Sequence, residues 1–174
     1  EVKHDKINKR MVYKNAWLKI YDAPVVYFPK FFHPDPTVKR QSGFLIPTIS
    51  DGNSLGSSIE IPYFKAISKS QDLTFTPRLY ADGSLILQSE YRVERKNSSH
   101  TFDSSFFKDK GDGFNIFKKN NSKNHFFSNS KINHNSSNFK NSKININIET
   151  TSNDTYLKTY KIKSPLIKNL NSLN

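Results

Sequence analysis

At 174 residues the chain has the length of one domain, but 34% hydrophobic residues beside 22 serines, 22 lysines and 19 asparagines do not suit a large water-free core. The 27 Lys and Arg exceed the 15 Asp and Glu by +12, a balance compatible with nucleic acid or an anionic lipid surface and selective for neither. Without cysteine there is no disulfide, thiolate nucleophile, cysteine-based zinc site or iron–sulfur cluster within these residues, and no run approaches the ~18 apolar residues of a membrane helix.

In chain order, residues 17–21 and 25–28 read as two strands parted by a turn at Asp22-Ala23-Pro24. Pro24, Pro29, Pro34 and Pro36 then follow so densely that residues 29–39 are expected to form an irregular linker. Residues 43–49 and 55–65 are expected to pair as a hairpin through Asp51-Gly52-Asn53, with Ile59, Ile61 and Tyr63 on one face.

The clearest alternation comes next. Leu73, Phe75, Pro77 and Leu79 oppose Asp72, Thr74, Thr76, Arg78 and Tyr80; Leu85, Leu87, Ser89, Tyr91 and Val93 oppose Ile86, Gln88, Glu90, Arg92 and Glu94. Ala81-Asp82-Gly83-Ser84 joins them with the Asp-Gly pair of a tight hairpin. Further strands are expected over residues 101–107, 126–132 and 144–149, with polar loops at 108–123 and 133–141, about seven strands after the linker in all. No apolar stripe of 3.6-residue period lasts three turns.

Long strands with one apolar face satisfy that face in two ways. They stack as a sandwich in water, or they face lipid as a barrel with a polar lumen. Periodicity leaves both open.

No catalytic constellation stands out. His33 and Asp35 are separated by Pro34 and lack a nearby third ligand, and His100, His125 and His134 lack metal-ligand spacing. Asp51-Gly52, Asp82-Gly83 and Gly111-Asp112-Gly113 read as turns, since the twelve-residue calcium-loop pattern is missing. Lys108, Lys110, Lys118 and Lys119 fall in a loop where they can meet anionic headgroups or remain solvated. Nucleic acid is disfavoured, because the aromatics alternate with aliphatics on strand faces instead of interleaving with lysine.

The segment Val25-Val26-Tyr27-Phe28-Pro29-Lys30-Phe31-Phe32-His33-Pro34-Asp35-Pro36, continuing through Gly43-Phe44-Leu45-Ile46-Pro47, resembles the LptD (OstA) family of outer-membrane LPS-assembly proteins. The resemblance goes on through Ile59-Glu60-Ile61-Pro62-Tyr63-Phe64, residues 72–79 and residues 87–92. Ser152-Asn153-Asp154-Thr155-Tyr156-Leu157 looks like a later barrel-strand motif of the same family.

The resemblance implies an all-β, non-enzymatic fragment without cofactor, catalytic or metal site. Residues 1–28 would end a periplasmic β-jellyroll, residues 29–42 would be an inter-domain hinge with Pro29, Pro34 and Pro36, and residues 43–174 would begin a large outer-membrane β-barrel. It implies lipopolysaccharide as cargo, outer-membrane lipid as surroundings, and an LptE-like lipoprotein plug and an LptA-like periplasmic bridge as partners. Pro47 and Pro62 match the family's strand prolines at a lateral gate, and Arg78, Gln88, Glu90 and Arg92 are candidates to face the lumen. Apart from the family, a strand proline removes a ladder donor and weakens pairing, or simply ends a strand or marks a bulge. The rival readings are a soluble β-sandwich binding module and a general outer-membrane pore. About seven strands leave open edges, so the length itself raises the expectation of a piece of a longer protein.

Overall fold

The computed structural model describes residues 1–167 except residues 21, 36, 38, 39, 54, 113–122, 137 and 138. Its strands are antiparallel and form two sheets. The smaller is ordered β1 (Val2–Asp5), β2 (Arg10–Ile20), β3 (Ala23–Pro34). No described residue among positions 1–42 is buried.

Strand β3 corrects the expectation of an irregular linker from Pro29, since it runs through Pro29 to Pro34. The cause is its place at the sheet edge, where a missing N–H costs no ladder bond on the outer side. Pro24 and Pro34 pair with Lys19 and Arg10. Pro29 lies between the pairs Lys14↔Lys30 and Ala16↔Phe28, across from Asn15, whose φ of 51° interrupts the ladder there. Pro36 lies outside the described residues.

The larger sheet holds β4 (Gly43–Phe44), β5 (Thr48–Asn53), β6 (Gly56–Glu60), β7 (Tyr63–Ser68), β8 (Gln71–Tyr80), β9 (Leu85–Arg95), β10 (Ser98–Lys108), β11 (Lys123–Ser136) and β12 (Phe139–Thr151). β4 and β5 are two parts of one run, as are β6 and β7, so the nine strands make the seven runs that periodicity suggests. The β8–β9 hairpin turns at Asp82-Gly83, with Gly83 at φ 91° and Asp82 accepting from the Ser84 N–H at 2.8 Å.

Two turns differ from expectation. Asp51-Gly52 lies inside β5 at a register shift between Ser50 and Asn53, and the chain reverses before Gly56 instead. Gly56 has φ 80°, and a Cβ there would stand 3.3 Å from that of Ala81, so the left-handed position and the close approach both fall on it. Within the polar loop expected over residues 133–141, β11 extends to Ser136 and β12 begins at Phe139, so most of that stretch is strand although its residues are polar. The loop at 108–123 opens with a 3-10 turn at Lys110–Asp112; its centre, with Lys118 and Lys119, lies outside the described residues.

A further correction concerns Ser152 to Tyr160. This segment is not a strand but a turn followed by the single-turn helix α1 (Tyr156–Thr159). Its residues alternate at no two-residue period: Tyr156, Leu157, Tyr160 and Ile162 are buried together. They close the core with Tyr80, Ile86, Phe107 and Phe127 from β8 to β11. Residues 153–167 thus fold back as a cap over one face of the sheet.

Candidate functional site

The candidate site is the proline-interrupted start of the large sheet together with the capped wall beside it. Leu45 N–H donates to the Pro62 carbonyl at 2.8 Å, and Ile61 N–H donates to the Pro77 carbonyl at 3.1 Å. In each antiparallel pair the return bond needs a donor that proline lacks. From Phe44↔Tyr63 to Thr48↔Glu60 the first run advances four residues and the second three, so the first carries an extra residue in the stretch that contains Pro47. The structure therefore brings Pro47 and Pro62 to one level and adds Pro77. Each missing bond weakens its seam by about 0.5–1.5 kcal/mol, and by more where no water replaces it.

Arg78, Gln88, Glu90 and Arg92 share the face that bears the cap. Arg78 is paired with Glu60 of β6 and donates to the Tyr160 carbonyl at 2.6 Å. Gln88 donates to the Lys163 carbonyl at 2.6 Å and to Asp103 at 3.3 Å. Asp72 accepts from Arg92 at 2.7 Å and from Arg40 at 2.6 Å, while Glu90 lies 3.4 Å from Arg92. Each side chain points this way because it occupies the polar phase of a two-residue period.

Deeper under the cap, Ser105 Oγ lies 2.6 Å from His125 Nδ1 and 2.8 Å from the Tyr156 hydroxyl, and Asp103 lies 3.2 Å from His125 Nε2. Burial pushes the Tyr156 hydroxyl up to about 12, so it stays neutral and available as a partner for Ser105. The contact of Ser, His and Asp is not a hydrolytic centre. The serine is on Nδ1 and the carboxylate on Nε2, and Ser105, His125, Asp103 and Tyr156 are all buried with no approach for a substrate. Among the described residues no group of three or more His, Asp or Glu is placed to hold a metal ion.

The connection between the sheets is tied to both. Gln41 donates to the Asn8 carbonyl at 2.9 Å, Ser42 Oγ accepts from Ala66 N–H at 2.9 Å, and Arg40 donates to the Lys69 carbonyl at 2.6 Å. The ring of Phe31 in β3 lies tilted 5.6 Å from that of Phe44, and Phe44 meets Tyr63 edge-on at 5.0 Å. Asp35 accepts from the Thr37 N–H and hydroxyl and from His4; the Thr37 bonds hold its carboxyl below the usual range. Pro29 and Pro34 lie in β3, away from the Pro47–Pro62–Pro77 level. Against β1 and β2 lies an open cleft of about 640 Å³ whose lining includes Lys3, Lys6, Arg10, Lys14 and Lys30 beside Asp5, Ile7 and Val12.

The face opposite the cap is largely apolar and, among the described residues, much of it is exposed. Ile49, Phe75, Leu79, Phe126, Ile144, Ile146 and Ile148 are each 39–48% exposed. Large exposed apolar side chains gathered on one sheet face call for a partner surface or lipid.

The LptD protein family matches residues 11–173, covering all of the large sheet, its cap and most of the small sheet. The chain belongs to the LptD family. Among its relatives, "LPS-assembly protein LptD" of Pseudomonas savastanoi pv. phaseolicola is 36% identical over 98 residues, 56% of this chain and 10% of that protein. The protein of the same name from Legionella pneumophila (strain Paris) is 36% identical over 101 residues, 58% and 12% of the two chains. That of Pseudomonas aeruginosa (strain LESB58) is 34% identical over 98 residues. The chain spans about a tenth of the length of these LptD relatives.

Sequence reasoning placed Arg78, Gln88, Glu90 and Arg92 on a common face but missed what they hold. The cap, the Asp72 junction and the cluster of Asp103, Ser105, His125 and Tyr156 depend on residues up to 82 positions apart, as in Arg78 and Tyr160. Pro77 carried a signal that went unused: it follows Pro62 by the same interval that separates Pro62 from Pro47.

Proposed function

We propose that this LptD-family chain is the part of an LPS-assembly protein in which a periplasmic jellyroll (residues 1–28) passes through a hinge (29–42) into the first strands of an outer-membrane barrel (43–174). Its role is transport and insertion of lipopolysaccharide into the outer leaflet, by a route from the jellyroll through a lateral gate. It makes and breaks no covalent bond. The observation that carries this reading is the contrast of the two faces of the large sheet. One bears hydrogen-bonded polar side chains beside a core capped by residues 153–167; the other bears isoleucines and phenylalanines left 39–48% exposed. Lipid covers such a face without a second sheet, and the polar face then lines a lumen where Arg78, Gln88, Glu90 and Arg92 sit.

Pro47 and Pro62 in the first two runs supply the weak seam from which lipid leaves sideways. The cleft beside β1 and β2, lined by five Lys and Arg side chains together with Ile7 and Val12, suits an amphiphile with anionic headgroups. An LptE-like plug, an LptA-like bridge and the hinge roles of Pro29, Pro34 and Pro36 follow from the same reading. The test is photo-crosslinking in the full-length protein. A benzophenone at Pro47 or Pro62 is expected to trap lipopolysaccharide; adducts confined to other barrel positions would contradict the gate. A sandwich is disfavoured because no second sheet covers the isoleucine face among the described residues.

A further inference from the structure

Three prolines, not two, lie at the level where the first runs are interrupted, and the third sits beside Arg78, a residue that the cap holds. Pro77 leaves the Ile61 carbonyl without its return bond, and the next residue, Arg78, is fixed by Glu60 and the Tyr160 carbonyl. Above this level the β5–β6 hairpin meets β8 through three paired positions, Ser58↔Tyr80, Ile59↔Leu79 and Glu60↔Arg78. Below it β7 continues along β8 from Tyr63↔Phe75 to Ser68↔Gln71.

The two sides of the Pro77 seam are packed unequally. In β5 and β6 the one buried described residue is Ser58, whereas β8 to β11 contribute Tyr80, Ile86, Phe107 and Phe127 to the core and Arg78, Gln88 and Ser105 as anchors of the cap. Among the described residues of the hairpin, Leu55 is the hydrophobic one packed against that core. Behind the hairpin, between it and the cap, is a cavity of about 190 Å³ lined by Ser50, Ser58, Glu60, Tyr80, Tyr160 and Lys161.

We infer that the moving leaf of the gate is the β5–β6 hairpin, residues 48–60, creased along Pro47, Pro62 and Pro77 and latched to a fixed post by Glu60 and Arg78. This rests on the lateral-gate reading and narrows it. Three donors are missing along one line, so the bonds from Leu45 N–H to Pro62 and from Ile61 N–H to Pro77 stand without return bonds and the hairpin bends there more easily than across a complete ladder. On the post side the cap ties β8, β9 and β10 together, which stops the crease at β8. Pro77 is thus a positioning residue: it ends the pairing of leaf and post where Pro62 ends the pairing within the first two runs.

The test compares two disulfide locks in the full-length protein in its outer membrane. Ile59→Cys with Leu79→Cys ties leaf to post above the crease, at a hydrogen-bonded pair whose Cα spacing of about 5.5 Å suits a disulfide. Phe64→Cys with Thr74→Cys ties β7 to β8 below it. Transport is expected to be lost on oxidation of the upper lock and regained on reduction, while the lower lock leaves it intact; the reduced form of each variant controls for folding. Pro77→Ala, which restores the donor to Ile61, is expected to slow transport several-fold. Transport that tolerates the upper lock, or is stopped equally by both, overturns the leaf. If lipopolysaccharide also fails to crosslink at Pro47, the gate reading itself falls; crosslinking there with a tolerated upper lock overturns the leaf alone.

Discussion

Strands β8–β11 and the β5–β6 hairpin belong to one sheet and share its alternation, yet they are stabilised by different means. The wall buries Ile86, Phe107, Phe127, Tyr156 and Ile162 beneath the cap and satisfies its polar groups across it. The hairpin has ladder bonds, one ion pair to Arg78 and Leu55 as its contact with the core. Backbone pairing alone therefore does not make a sheet uniformly rigid. What distinguishes its regions is the apolar area each excludes from water and the donors each strand lacks. A cap on one region and prolines beside another give a fixed post next to a deformable edge within one continuous fold.

The largest expected effect comes from removing the cap's anchor. Ile162 is fully buried, and Ile162→Ala is expected to cost about 2–5 kcal/mol, read as a lower denaturation midpoint. It should loosen the wall until wall and hairpin resemble each other; an unchanged midpoint would mean that the cap does not hold the wall. Next comes Asp103→Ala, which leaves His125 Nε2 without its acceptor in a closed space and is expected to cost about 1–3 kcal/mol in the same measurement.

Pro62→Ala acts in the opposite direction and on the hairpin side. It restores a donor opposite the Leu45 carbonyl and is expected to stabilise the first seam by about 0.5–1.5 kcal/mol while slowing transport. A destabilised protein with faster transport would contradict the weak-seam account.

The smallest effect lies far from this contrast, in the exposed small sheet. The Asn8 backbone N–H and side-chain amide bond Asp5 and lower its carboxyl from 3.8 to about 2. A lowered folded value means that these bonds contribute above the unfolded value and are lost as pH falls through about 2. Carboxyl NMR titration should place the midpoint there, and Asn8→Ala should raise it; a midpoint at the ordinary value would show that the turn does not form.

Much of the wall was legible before any coordinates, because two-residue alternation over long runs survives almost any tertiary context. The runs of β8 and β9, the Asp82-Gly83 turn and the polar face with Arg78, Gln88, Glu90 and Arg92 all follow from it. β3 was not legible, since proline excludes a central strand but not an edge strand, and edge position is a property of the assembled sheet. The turn at Gly56 was hidden by a stronger local signal at Asp51-Gly52, which the structure uses as a register shift. The cap was hidden most completely. Tyr156, Leu157 and Tyr160 have helical spacing over a single turn only, too short to read as a period, and their burial with Ile162 is decided by strands far earlier in the chain as well as nearby β11.

Amide hydrogen exchange of the full-length protein in a lipid bilayer tests the contrast between leaf and post most directly. The account predicts that residues 48–60 exchange through frequent local opening while residues 85–107 remain protected, with the change falling between Glu60 and Arg78. Equal protection across both stretches, or faster exchange in β9 and β10 than in the hairpin, would contradict it.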